Sequence, residues 1–195
     1  MIICFFGDSL TLGFGDDSGL GWPGRIMNTL VNQGRDVTGY NLGIRANTTI
    51  KLYDRWRRET VRRVLPDQEL RLTFSFGVAD IANSVHSDLT LSNAEAILTE
   101  AITTAPTLMI GPTPVADPER NAHLKSLSGK LAGICEQHQI PFVPVIDAMQ
   151  GSSVYTRALG AFDNVHPSAD GYAALAGHLL QTNTVRTFFG LEPTI

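Results

Sequence analysis

Short apolar runs alternate with longer segments of helical periodicity along the whole chain, and this alternation constrains the fold most. The first run, residues 2–6, is continuously apolar, as expected of a strand covered on both faces. Four further runs predict strands at 37–42, 70–76, 107–110 and 141–146. Five strands that alternate with helices predict an α/β fold, with a five-stranded parallel sheet between two helical layers. We expect one domain over residues 1–195.

The predicted helices are marked by periodicity and by capping residues. We expect helices at 22–31 and 50–65, the second buried through Ile50, Tyr53, Val61 and Val64. Ser92 and Glu95 have the form of a capping box, which predicts a helix over 94–104. Asp117 can cap a helix that starts with Pro118 and is buried through Leu124, Leu127, Leu131 and Ile134. Ser168 can cap a last helix that carries Tyr172, Leu175 and Leu179.

Length, charge and composition narrow the class of protein. The 195 residues suffice for one well-buried α/β domain, and the net charge of −4 argues against a nucleic-acid binder. No stretch is long and apolar enough to span a bilayer, and the N-terminus does not resemble a signal peptide. We therefore predict a cytoplasmic protein without membrane insertion. Cys4 and Cys135 are predicted to be buried thiols.

A serine follows the first predicted strand directly, in Gly7-Asp8-Ser9-Leu10. Ligands bind at the carboxyl ends of the strands in parallel α/β sheets, so this serine is placed where chemistry is expected. A serine hydroxyl is a weak nucleophile until a base accepts its proton, so the interpretation requires a histidine.

Among the five histidines, His166 has the most suitable surroundings. His123, His138 and His178 lie in helical patterns, and His86 lies in a loop without an obvious orienting partner. His166 lies before the last predicted helix, with Asp163 three residues upstream. A short turn can place Asp163 on one imidazole nitrogen and leave the other for Ser9, as in a catalytic triad.

Four sequence blocks together resemble a known enzyme family. They are Gly7-Asp8-Ser9-Leu10, Asn41-Leu42-Gly43, Gly77-Val78-Ala79-Asp80 and Asp163-x-x-His166-Pro167. In their order and spacing these are similar to the four blocks of the GDSL, or SGNH, hydrolases. The resemblance implies a flavodoxin-like three-layer α/β/α sandwich. It also implies an esterase or acylhydrolase that cleaves small carboxylic esters or thioesters through an acyl-enzyme, without metal or cofactor.

Carried over by position, the resemblance implies roles for individual residues. Ser9 would be the nucleophile, His166 the base and Asp163 its orienter, and the amides of Ser9 and Gly43 would donate to the oxyanion. The family has an asparagine donor where this chain has Ala79, and the loss of one such donor costs a factor of about 10²–10³ in rate. Asn83, four residues further on, is a possible replacement.

Other residues are predicted to line the substrate pocket or to be structural. The pocket candidates are Asp8, Phe14, Trp22, Val78, Pro112 and Phe162. Asp16 and Asp17 are adjacent and do not form a convincing metal site. The arginine-rich segment from 51 to 63 is predicted to be a solvated helix face with i,i+4 ion pairs, with Trp56 half-buried or in an interface. The partners implied are a small ester and water, and the sequence does not predict the oligomeric state.

Different functions on the same scaffold remain open at this point. Because of Ala79, a catalytically weakened or non-catalytic ligand-binding member of the same fold is the main alternative. A phospho-receiver is partly matched by Asp8 and Asp80 but lacks a lysine after the fifth strand. Only Thr11 and Ser18 suggest a flavin-binding loop. The Gly-x-Ser-x-Gly elbow of the α/β-hydrolases is absent.

Overall fold

A parallel five-stranded sheet forms the centre of the computed structural model, which describes residues 1–192. All neighbouring strands pair in parallel, in the order β2-β1-β3-β4-β5. This is the strand order of flavodoxin-like sheets. The strands are β1 (Ile2–Gly7), β2 (Thr38–Gly43), β3 (Leu70–Ser75), β4 (Thr107–Ile110) and β5 (Phe142–Val143).

Helices connect the strands and cover both faces of the sheet. They are α1 (Ser9–Leu12), α2 (Gly21–Asn32), α3 (Thr49–Val61), α4 (Val78–Ala82), α5 (Ser87–Thr104), α6 (Pro118–Gln137), α7 (Ile146–Gly151), α8 (Ser153–Gly160), α9 (Ala169–Gln181) and α10 (Asn183–Phe188). None of the helices within residues 1–192 is long and apolar enough to cross a membrane.

The central strand β1 divides the core into two layers because its side chains alternate between the faces of the sheet. Ile3 and Phe5 pack in one cluster with side chains of α2 and α9. Ile2, Cys4 and Phe6 pack in the other cluster with α3 and α5. Continuous apolarity from residue 2 to residue 6 therefore reflects a strand buried on both sides, as predicted.

The neighbouring strands β2, β1 and β3 end side by side, and this alignment positions the candidate site. Gly7 at the end of β1 is in register with Gly43 of β2 and with Ser75 of β3. The loops that follow these strands therefore start from one edge of the sheet. Arg55 of α3 donates from Nη2 to the carbonyls of Gly7 and Leu42, at 3.2 and 2.7 Å, which fixes this helix to the same edge.

The predicted buried face of α3 is wrong. Ile50, Tyr53, Val61 and Val64 are exposed, and Val61 is 74% exposed. The helix instead packs through the fully buried side chains of Leu52 and Trp56, so Trp56 is neither half-buried nor at an interface. The basic residues do form the predicted i,i+4 pairs, with Glu59 ion-paired to both Arg55 and Arg63.

Several other boundaries also differ from the prediction. Helix α5 begins at Ser87 with His86 as its N-cap, so Ser92 lies inside the helix and forms no capping box. Strand β5 is only two residues long, since the chain turns into α7 at Ile146. The helices α7, α8 and α10 were not predicted. In α6, Asp117 is the N-cap and Pro118 the first residue, as predicted.

Candidate active site

The turn after β1 presents Ser9 at the start of a short helix. Asp8 is the N-cap of α1, and its Oδ1 accepts a hydrogen bond from the Leu10 amide at 2.9 Å. A Cβ at Gly7 would lie 2.0 Å from the Ser75 carbonyl oxygen, so the strand can reach this turn only with glycine. The first amides of a helix have no acceptor within the helix, which leaves the Ser9 amide directed out of α1.

His166 connects Ser9 to Asp163. Its Nε2 lies 2.8 Å from Ser9 Oγ, and its Nδ1 lies 2.7 Å from Asp163 Oδ2. A proton on Nδ1 satisfies the carboxylate and leaves Nε2 free to accept the serine proton. The structure therefore brings together the three residues that the sequence singled out, in the arrangement of a nucleophile, a base and an orienting acid.

The Asp163–His166 turn is built by local bonds. Asp163 Oδ1 accepts from the amides of Val165 and His166 at 3.0 and 2.8 Å. Burial acts to raise the pKa of Asp163, but the hydrogen bonds from His166 and Val165 outweigh it and hold this pKa below its usual value. The carboxylate is therefore ionised at neutral pH, as an orienting group must be.

Asp8 forms a buried structural bridge, which does not support its prediction as a substrate-binding group. Its side chain is buried, and its Oδ2 accepts from the Ala79 amide at 3.2 Å, so that one carboxylate joins the starts of α1 and α4. Burial raises the pKa of Asp8 to about 6, against the opposing effect of hydrogen bonds from Leu10 and Ala79. The serine turn is therefore held by a carboxylate that is costly to ionise.

The block that follows β3 is anchored in the same way. Asp80 accepts from the amide and the hydroxyl of Thr49, at 3.0 and 2.6 Å from Oδ1, and so joins α4 to the start of α3. Burial raises the pKa of Asp80, and the bonds from Thr49 and Thr90 act in the opposite direction. Asp80 is thus a structural residue, which also removes the partial match to a phospho-receiver.

The predicted oxyanion donors are only partly in place. The Gly43 amide donates to Asn41 Oδ1 at 3.1 Å, so the interpretation of Gly43 as a free donor is not supported. A Cβ at Gly43 would lie 2.2 Å from the Leu12 nitrogen, so this glycine is required by the close approach of α1 and not by a substrate. Asn83 Nδ2 donates to the Ala79 carbonyl at 2.7 Å, so its side chain folds back onto its own helix.

Aromatic side chains form one wall beside the imidazole. The Phe14 ring meets the His166 ring edge-on at 4.9 Å between centroids, and Phe162 packs on Phe14 at 5.5 Å. Phe162 is 54% exposed, and the Arg45 guanidinium carbon lies 3.7 Å from the Phe14 centroid. Arg45 was not predicted, because no sequence signal connects an arginine after β2 with a ring after α1.

The remaining pocket candidates do not belong to the aromatic wall formed by Phe14 and Phe162. Trp22 is buried and packs edge-on against Phe5, so it is a core residue. Val78 and Pro112 are buried and line a narrow crevice together with Asp8. Asp16 is engaged by Arg25, Ser18 and the Gly21 amide, and residues 1–192 contain no cluster of side chains suited to a metal ion.

A separate cavity of about 320 Å³ lies between α4, α5 and α6. Its lining includes Ile81, Thr90, His123, Leu127 and Lys130, and none of Ser9, Asp163 or His166. Ser9 and His166 are instead half-buried at the carboxyl edge of the sheet, outside this cavity.

The chain resembles one known protein family and several solved structures. The model of the GDSL-like Lipase/Acylhydrolase family matches residues 5–174, and no curated protein matches the sequence. The lipase/acylhydrolase from Enterococcus faecalis is 23% identical with a TM-score of 0.78, over 100% of this chain and 98% of that one. Axe2, an acetylxylan esterase from Geobacillus stearothermophilus, is 20% identical with a TM-score of 0.77, over 98% and 94%. A member of the lipolytic G-D-S-L family from Veillonella parvula is 20% identical with a TM-score of 0.76, over 94% and 97%.

Proposed function

Because this chain belongs to the GDSL-like lipase/acylhydrolase family, we propose that it hydrolyses small carboxylic esters through an acyl-enzyme on Ser9. The observation that carries the proposal is the hydrogen-bonded series from Asp163 to His166 to Ser9, which joins residues 157 positions apart in the chain. Three residues selected from the sequence by their chemistry meet at hydrogen-bonding distance. If the Asp163–His166 turn were only structural, the contact between His166 and Ser9 would not be required.

The proposed reaction begins with attack of Ser9 Oγ on the ester carbonyl carbon, while His166 Nε2 accepts the hydroxyl proton. Asp163 stabilises the imidazolium that forms. Collapse of the tetrahedral intermediate breaks the bond to the alcohol oxygen, which takes the proton from Nε2. Water then attacks the acyl-enzyme with His166 as base, and the products are the carboxylic acid and the free Ser9 hydroxyl.

Stabilisation of the oxyanion is incomplete in this mechanism. The Ser9 amide at the start of α1 can serve as one donor. Ala79 has no side-chain donor, and the Gly43 amide is already bonded to Asn41. Each missing donor slows acyl transfer by a factor of about 10²–10³. We therefore expect a slow esterase, and this same observation favours a second candidate, a ligand-binding member of the family that does not turn over.

The test is the Ser9→Ala variant, assayed with p-nitrophenyl acetate and with a fluorophosphonate that labels activated serines. We expect a loss of at least about 10³-fold in kcat/KM and complete loss of labelling. The matched control is Ser126→Ala, which removes an exposed serine from α6 and should leave both readouts unchanged.

Each other outcome favours a different conclusion. Hydrolysis by Ser9→Ala at the parent rate would show that another group performs the reaction. Stoichiometric labelling of the parent chain without turnover would favour the ligand-binding candidate. The cytoplasmic location stays a prediction from the sequence.

A further inference from the structure

We infer that Arg45 is a specificity-determining residue that binds an anionic group of the ester substrate, close to the scissile bond. This inference rests on the proposed esterase activity and names a class of substrate for it, namely esters that carry a carboxylate.

Arg45 lies beside the candidate triad, with one aromatic ring between its guanidinium and the base. The guanidinium carbon is 3.7 Å from the centroid of Phe14, and the same ring meets His166 edge-on. Through Phe14, Arg45 is therefore connected to the base that contacts Ser9.

The ring under Arg45 is held firmly. The Phe14 carbonyl accepts a hydrogen bond from Tyr172 Oη at 2.8 Å, which fixes the segment to α9. Gly13 and Gly15 on either side have φ of +88° and +94°, values that favour glycine. Phe14 therefore provides a fixed platform, on which a guanidinium is attracted to the ring face.

The loop that carries Arg45 is held as firmly as the ring. The Asn47 amide donates to the Ile44 carbonyl at 3.2 Å and closes a turn around Arg45 and Ala46. Asn47 is buried, its Oδ1 accepts from Arg55 Nε at 2.5 Å, and its Nδ2 donates to the Thr48 carbonyl. Ala46 has a φ of +54°, a left-handed conformation that is unfavourable for alanine. The chain thus maintains a strained turn that presents Arg45 next to the site.

The guanidinium has no acidic partner among residues 1–192. Neither an ion pair nor a hydrogen bond is formed by its side chain there. Two carboxylates of the surrounding loops bind other groups, Asp163 to His166 and its own turn and Asp16 to Arg25, and Asp17 forms no ion pair with Arg45. A planar fork of N–H donors that stacks on a ring and faces no protein carboxylate is suited to a carboxylate from the substrate.

Two matched pairs of esters test this inference on the intact chain. The first pair, p-nitrophenyl hemisuccinate and p-nitrophenyl butyrate, differs by a carboxylate on the acyl side. The second pair, 4-acetoxybenzoate and methyl 4-acetoxybenzoate, differs by a carboxylate on the alcohol side. We expect the parent chain to prefer the anionic member of at least one pair, through a lower KM.

The test variant is Arg45→Gln, with Arg62→Gln at the far end of α3 as the control for loss of one surface charge. Arg45→Gln should lower kcat/KM for the preferred anionic ester by about tenfold, mainly through KM. It should leave the neutral ester within about twofold, and Arg45→Lys should restore part of the loss. Added salt should raise the KM of the anionic ester for the parent and not for Arg45→Gln.

Failure of this inference is distinguishable from failure of the proposed function. Equal losses on the neutral and anionic members, or no loss on either, would overturn the role of Arg45 while ester hydrolysis by Ser9 still stands. A chain that cleaves none of the four esters and is not labelled by fluorophosphonate contradicts the proposed function itself.

Discussion

The two halves of the candidate site are built on opposite principles. Ser9 lies on a turn that is held by a long-range bond, because Asp8 accepts a hydrogen bond from the amide of Ala79, 71 residues away in the chain. His166 and Asp163 lie on an exposed turn whose orienting bonds all form within four residues. The nucleophile thus depends on the assembled sheet, and the base on a local arrangement.

Because of this difference, a substitution can affect catalysis without affecting stability in one half of the site and not in the other. A change in the Asp163–His166 turn removes bonds at the surface and leaves the core unchanged. A change at Asp8 removes bonds between two buried helix starts and affects folding. Substitutions in the two halves should therefore separate a loss of activity from a loss of stability.

The largest effect is expected for Asp163→Asn. If the amide oxygen keeps the bonds from Val165 and His166, the amide nitrogen faces His166 Nδ1 and holds the proton on Nε2. This tautomer cannot accept the Ser9 proton, so kcat for p-nitrophenyl acetate should fall by about 10⁴-fold. The free energy of unfolding in urea should change by less than about 1 kcal/mol.

The control for this variant is Asp170→Asn, in the first turn of α9, where the carboxylate is exposed. It should alter neither kcat nor stability. A loss of several kcal/mol in the unfolding free energy of Asp163→Asn would show that this turn also supports the core.

A smaller effect, on stability and its pH dependence, is expected for Asp8→Asn. The pKa of Asp8 is about 6 in the folded chain and about 3.9 in an unfolded one. The unfolded chain therefore releases this proton at lower pH, and the stability from the neutral Asp8 is lost as the pH rises from about 4 through 6. The loss amounts to about 3 kcal/mol.

The free energy of unfolding in urea is measured for the parent and for Asp8→Asn between pH 4 and pH 8. The difference between the two profiles of free energy against pH gives the contribution of Asp8. The parent should lose stability relative to the variant as the pH rises. Two parallel pH profiles would mean that Asp8 titrates normally and is not the buried bridge described above.

The smallest effect is expected for Ala79→Asn, which restores the donor type that the family has at this position. We expect kcat for p-nitrophenyl acetate to rise by about tenfold, less than a full oxyanion donor contributes, because residue 79 is buried and its amide is fixed to Asp8. Ala82→Asn, on the exposed end of α4, is the control. An unchanged kcat in Ala79→Asn would indicate that another group already completes the oxyanion site.

The sequence predicted those parts of the site that rest on local chemistry. Ser9 was singled out because a strand ends just before it, and Asp163 with His166 because their short spacing, together with the serine block, resembles the GDSL hydrolases. The role of Asp8 could not be predicted. In the sequence, a carboxylate beside a nucleophile resembles a ligand-binding group, and only the folded chain shows that Asp8 is bonded to the Ala79 amide of α4. The partner of the Gly43 amide likewise depends on how Asn41 is placed at the end of β2.

The fold was predictable for the same reason, and its errors have physical causes. Continuous apolar runs identify buried strands, whereas α3 carries apolar side chains on two opposite faces. The face with Leu52 and Trp56 packs in the core, and the neighbouring Arg55 is bonded to the carbonyls at the ends of β1 and β2. Periodicity alone cannot weigh such long-range bonds.

Exposed apolar side chains on the outward side of α3 and just beyond its end (Ile50, Tyr53, Val61 and Val64) have a consequence for self-association. Exposed apolar side chains that lie close together favour contact between molecules. Basic side chains at intervening positions, including Arg58 and Arg62, carry like charges that oppose the approach of two such surfaces. The arginine-rich composition of this helix therefore acts against aggregation of a surface that the core does not cover.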